Sequence, residues 1–150
     1  MKKILILFIG IFLCSTTTHA QILMNTDQFK DKLGTVKDAQ LIDVRTPGEY
    51  TEGHLSNSKN VDIKNTAFKE KINTLDKSKP VFVYCLAGGR SAEAAKILTE
   101  NGFKEVYDMQ GGYLKWTSSG KLIDAPHSSA LPKGLSASDF KKIIQSSDVV

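Results

Sequence analysis

The stretch VFVYCLAGGRS, residues 81–91, decides how the chain is read. Val81 to Tyr84 are β-branched or aromatic residues, the composition of a central strand. Pro80 stands only at the entrance, where a missing backbone donor is tolerable. Cys85 ends the apolar run, and Gly88-Gly89 permit a tight curl. Ser91 to Asn101 then reads as a helix, with Ala94, Ala95 and Leu98 on its inner face and Gly102 as its stop. A parallel sheet presents ligands at the carboxyl ends of its strands, which is where Cys85 falls.

The flanking segments repeat this alternation. Asn25 or Thr26 can cap a helix through Leu33, and Ala39–Val44 reads as a strand. Thr46 is the cap of a short helix, with Pro47 in its first turn, Glu49 three residues after the cap and Gly53 at its end. Val61–Ile63 is predicted to be extended, and Phe68, Ile72 and Leu75 mark a further helix. Val106–Met109 is a strand, and Gly111–Trp116 begins a last helical turn. Strands alternating with helices at this spacing predict an α/β domain with a parallel sheet covered on both faces.

The ends of the chain read differently. Lys2-Lys3, the apolar Ile4–Leu13 and the small residues before Gln21 form a secretory signal peptide over residues 1–20, cleaved near Ala20. It is short for a membrane span, so no stable membrane insertion is expected, and the mature protein is expected to be periplasmic or secreted. Cys14 follows Leu13, where lipid attachment requires a small residue, so it is expected to leave with the leader. Removing Lys2 and Lys3 from 20 basic residues leaves 18 against 16 acidic ones, a net charge of +2 in place of +4. That charge, with lysines scattered and no aromatic-interleaved basic patch, argues against nucleic acid as a partner. Residues 121–134 read as a linker or loop, and 135–150 as a C-terminal helix with Phe140, Ile143 and Ile144 apolar.

Cys85 is then the only cysteine of the mature chain, so no disulfide can form within it. A lone exported thiol is either inert in the core or kept for chemistry. Its neighbours favour chemistry. A curl of backbone N–H groups over Leu86, Ala87, Gly88, Gly89, Arg90 and Ser91 makes an anion nest, and the following helix adds its unpaired N-terminal donors. Both favour thiolate, and hence a nucleophile. The Arg90 fork can bind an oxyanion or tie the loop to an acidic neighbour. Glu49 can pair with Arg45 or with another arginine. His54 and His127 with one cysteine make no convincing metal set, so neither metal nor cofactor is expected.

Three segments carry a family resemblance. LIDVRTPGEY (41–50) with GHL (53–55), CLAGGRS (85–91) and GGYLKW (111–116), in that order, resemble the signatures of the single-domain rhodanese family over residues 24–116. The resemblance implies a three-layer α/β/α domain, residues 21–120, around a central, mostly parallel sheet. It implies a sulfurtransferase in which Cys85 takes sulfane sulfur from a small donor such as thiosulfate and passes it, as a persulfide, to a thiol or to cyanide. Asp43, Arg45, Glu49, His54, Gly111, Gly112 and Trp116 are then expected to support the site structurally. Four residues separate Cys85 from Arg90, where the phosphatase relatives use five, so the loop is sized for sulfur. Two departures stand out. Ser56-Asn57-Ser58-Lys59 makes the turn after the histidine signature polar, and Leu86 stands where many sulfurtransferases carry a basic residue. Residues 135–150 resemble the opening of a thioredoxin-like domain: either they are a remnant of one, which suggests a thioredoxin-like protein as a partner, or the helix simply packs on the rhodanese domain. Two other readings stay open: a persulfide carrier or protein-binding module with little turnover, and a non-catalytic domain.

Overall fold

The computed structural model describes residues 20–125. The predicted leader, except Ala20, and the C-terminal helix lie outside these residues. Five strands, β1 (Ala20–Met24), β2 (Gln40–Asp43), β3 (Lys59–Asn60), β4 (Val81–Tyr84) and β5 (Glu105–Met109), form one sheet in the order β1-β5-β4-β2-β3. Every pairing within it is parallel. Among the described residues five helices surround it: α1 (Thr26–Thr35), α2 (Pro47–Glu52), α3 (Phe68–Ile72), α4 (Gly89–Glu100) and α5 (Gly112–Ser118).

The strand at the centre explains the layering. All four residues of β4 are buried, and successive side chains leave on opposite faces. Val81, Val83 and Cys85 join a core with Ala94, Ala95 and Leu98 of α4 and Phe68 and Ile72 of α3. Phe82 and Tyr84 join a second core with Phe29 of α1 and Trp116 of α5. Strand alternation thus delivers the cysteine side chain to the face covered by α4.

Two helix starts follow the polar residues that precede them. Asn25 and Gln28 form a reciprocal capping box on α1, and Thr46 and Glu49 form another on α2. Three features differ from the sequence reading. β1 was not anticipated: only Ile22 and Met24 contribute to the core, while Leu23 is exposed at the sheet edge, so the apolar signal is weak. The paired residues of β3 precede the expected Val61–Ile63. The chain still runs beside β2, through Val61 N–H to Asp43 O and Ile63 N–H to Val44 O, but an Asx turn at Asp62 breaks the ladder. Residues 121–125, read as linker, return to the domain: Trp116 Nε1 donates to Leu122 O, and His54 and Asp124 exchange two backbone hydrogen bonds.

Candidate active site

Cys85 sits one residue past β4, and α4 starts four residues later. Cys85 is 1% exposed, so the sulfur lies on the floor of the loop. The sulfur accepts one hydrogen bond among the described residues, from Gly88 N–H at 3.1 Å. Gly88 caps α4 with φ of +106°, a left-handed conformation that a side chain would strain. That conformation turns the Gly88 N–H back toward the sulfur while its carbonyl starts the helix, accepting from Ala92 N–H. Ser91, fully buried, donates its hydroxyl to the same carbonyl at 3.0 Å.

A second segment holds the loop from behind. Tyr113 N–H donates to Cys85 O at 2.7 Å, and Leu114 N–H to Leu86 O at 3.0 Å. This contact leaves no room for a side chain at Gly112. A Cβ there would collide with the Cys85 carbonyl and lie 2.8 Å from Leu86 O. The glycine pair at 111–112, both at positive φ, is therefore required twice over, by conformation and by close approach.

Charge secures the outer edge. Arg90 donates both terminal nitrogens to Glu49, at 2.8 and 2.6 Å. Of the two uses open to its fork, the structure shows the tie between loop and neighbour. It also names the partner of Glu49, which is Arg90 and not Arg45. The hydrogen bonds from Arg90 hold the Glu49 carboxyl down at about 2, against its burial, with help from the Thr46 backbone and hydroxyl. One carboxylate thus links the α2 cap to the cysteine loop.

Arg45 is turned elsewhere. It is 2% exposed and forms a fork on Asp43, 2.9 and 2.6 Å to Oδ2. It also donates to Gly53 O at 2.6 Å and lies 4.0 Å from the Tyr113 ring centre. The pair joins the end of β2, the end of α2 and the start of α5. Beside it, Tyr84 accepts from Leu55 N–H and bonds to Ser58 Oγ, and burial pushes its phenol up beyond the usual tyrosine range. His54 stacks on Tyr50 at 3.8 Å and engages Tyr50 O through Nδ1. Trp116 is buried in the second core.

Ala87 is exposed, Leu86 is partly so, and Leu114 is 54% exposed beside Leu86. The mouth of the site is therefore largely apolar. Two contributors went unnoticed in the sequence. Tyr113 joins the cysteine carbonyl to the Arg45 pair, and its place inside the closing signature was the available signal. Asp108 is a buried acid in the apolar strand β5, and a charge-bearing residue in such a run was itself a signal.

The rhodanese-like domain model matches residues 25–119, most of the chain. The chain belongs to the rhodanese-like domain family. Among its relatives is YqhL of Bacillus subtilis, 34% identical over 115 residues, spanning 75% of this chain and 90% of that protein. Another is the thiosulfate sulfurtransferase GlpE of Coxiella burnetii, 39% identical over 89 residues, 59% of this chain and 81% of that one. The solved polysulfide-sulfur transferase homodimer of Wolinella succinogenes aligns with a TM-score of 0.61 and 28% identity, covering 77% of this chain and 85% of that one. The last two support sulfur transfer as the general chemistry of this rhodanese-like fold.

Proposed function

We propose that the protein is a sulfurtransferase that carries sulfane sulfur as a persulfide on Cys85. The observation that carries this reading is the Gly88 N–H aimed at a buried sulfur at the end of a parallel strand. In the first half-reaction the Cys85 thiolate attacks the outer sulfur of thiosulfate. An S–S bond forms to Cys85, the S–S bond of thiosulfate breaks, and sulfite leaves with the electron pair. In the second, cyanide or a thiolate attacks the terminal sulfur, and the Cys85 S–S bond breaks to return the thiolate. No net oxidation occurs and no proton acceptor is needed beside the cysteine. The loop from Leu86 to Ser91 stabilises negative charge on the added sulfur through its backbone, with Gly88 N–H already aimed at the Cys85 sulfur. Arg90 with Glu49, the Gly111-Gly112 turn, the Asp43–Arg45 pair, His54 and Trp116 position that loop and do not touch the sulfur.

A leucine-rimmed, sunken sulfur favours an acceptor that brings its own thiolate down to the loop, such as a protein thiol or a small persulfide. Leu86 and the exposed Leu114 are the observation for this. A thioredoxin-like protein fits that description. A carrier that loads sulfur but releases it slowly would use the same site. The leader chemistry at Lys2-Lys3 and Ile4–Leu13 supports export and action in the periplasm or beyond the cell. Among the described residues, no helix is long and apolar enough to cross a membrane. Cyanide-dependent thiocyanate production tests the catalytic reading. Cys85→Ser is expected to abolish it, and full turnover by that variant would overturn it. Thiosulfate loading without turnover would identify the carrier.

A further inference from the structure

Leu122 is 87% exposed, yet the chain on both sides of it is pinned. Its own carbonyl accepts from Trp116 Nε1 at 3.0 Å. Before it, Lys121 Nζ reaches the Asp27 carboxylate at 2.7 Å. After it, His54 and Asp124 exchange backbone hydrogen bonds of 2.8 and 2.7 Å, and Ser56 Oγ donates to the Asp124 carboxylate at 2.8 Å. A loose tail could fold an apolar side chain away from water, but this one is held where it stands. The sulfur chemistry above gives it no use.

The leucine forms one wall of a groove of about 220 Å³, lined from α1, β2, α5 and the returning segment. Leu41, Leu55 and Trp116 are buried and make its floor, while the partly buried Leu33 stands across from Leu122. Leu41, Leu55 and Trp116 belong to the second core, and Leu33 packs against it. That core therefore opens to solvent here, on the sheet face opposite Cys85. Each Å² of apolar surface left open forgoes roughly 25 cal/mol of burial.

The position of the groove selects its occupant. The described residues end at Ala125, three residues after Leu122 and so within roughly 10 Å of chain from the groove. The linker that follows, residues 126–134, can reach roughly 30 Å when extended, enough to turn back. It leads to the segment that reads as an amphipathic helix. At helical spacing Ala137, Phe140, Ile143 and Ile144 share one face, with Ser138 and Lys142 opposite. A segment on so short a tether acts at an effective concentration in roughly the millimolar range, so it fills the groove ahead of a second copy or a weak partner.

We propose that residues 135–150 dock on this groove as a helix, laying Phe140, Ile143 and Ile144 against Leu33, Trp116 and Leu122. The segment thereby becomes part of the rhodanese-like domain and closes its second core. This inference does not depend on Cys85 being the reactive sulfur.

The test uses the full chain. Nuclear Overhauser contacts are expected from the side chains of Phe140, Ile143 or Ile144 to Leu122 or to the single tryptophan of the protein. Their absence overturns the proposal without any variant having to fold. A mixture of labelled and unlabelled chains separates contacts within one molecule from contacts between two, and contacts found only between molecules would replace the helix by a second copy. Urea denaturation reads the same contact as stability. A leucine left in water tolerates Leu122→Ser almost unchanged. Under a docked helix, Leu122→Ser and Phe140→Ser should each lower the folded-to-unfolded ratio about tenfold. The double variant should lose less than the product of the two, because each substitution removes the partner of the other. A Leu122→Ser chain as stable as wild type, or losses that multiply independently, would contradict the docking. Trp116 resonances moved equally by added thioredoxin in wild type and in Phe140→Ser would show a groove open to a partner, and would contradict it as well.

Discussion

Two arginine–carboxylate forks flank the cysteine loop, and they differ in depth. Asp43–Arg45 is sealed, at 0% and 2% side-chain exposure, while Glu49–Arg90 is about a quarter exposed, at 26% and 23%. The geometry of the ion pair is nearly the same, 2.6 Å in each. Burial therefore separates them. A sealed pair gains little over apolar packing, yet removing one partner strands a charge in the core. A partly exposed pair is screened by water, so it contributes little to stability and much to where its arginine points. The inner fork is built into the scaffold, joining β2, α2 and α5. The outer fork sets the edge of the site.

The comparison breaks most sharply at the inner pair. Arg45→Ala leaves Asp43 buried without its fork and removes the donor to Gly53 O. The expected loss is about 3–5 kcal/mol of unfolding free energy, measured by urea denaturation. A loss below about 1 kcal/mol would mean that the two forks do not differ in kind. At the outer pair, Glu49→Gln removes the charge and weakens the α2 cap, so a smaller loss of about 1–2 kcal/mol is expected. Its larger effect should fall on sulfur transfer, because Arg90 is freed from α2. A stability loss with unchanged turnover would place the outer fork in the scaffold as well.

The smallest effect is a pH dependence with a definite sign. Glu49 is held at about 2, below its ordinary 4.5. A carboxylate with a lowered folded-state value contributes stability that is present above the ordinary value and is lost as pH falls toward the lowered one. The stability gap between wild type and Glu49→Gln should therefore be constant above about pH 5 and shrink from there down toward about pH 2. A gap that widens on acidification would contradict the pairing.

Much of this was legible in the residues because local chemistry and global fold agree. Thr46, Pro47 and Glu49 announce a capped helix, and the structure forms it over Pro47–Glu52. The run Val81–Tyr84 is buried on both faces, as an uninterrupted apolar strand must be. What stayed hidden was set by contacts distant in sequence. Nothing local distinguishes Arg45 from Arg90 as the partner of Glu49, and only the packing of α2 against the loop decides it. The depth of Cys85 could not be read either, since it depends on Tyr113 and Leu114 closing over its carbonyl and that of Leu86. β1 escaped because an edge strand needs only a few inward residues.

The central claim concerns the sulfur atom at the floor of the loop. Intact and peptide mass measurement after incubation with thiosulfate reads it most directly. The expected result is one added sulfur atom, located on Cys85, lost on treatment with cyanide together with the appearance of thiocyanate. Cys85 left unmodified at saturating thiosulfate and by other persulfide donors, or sulfur carried on another residue, would contradict it.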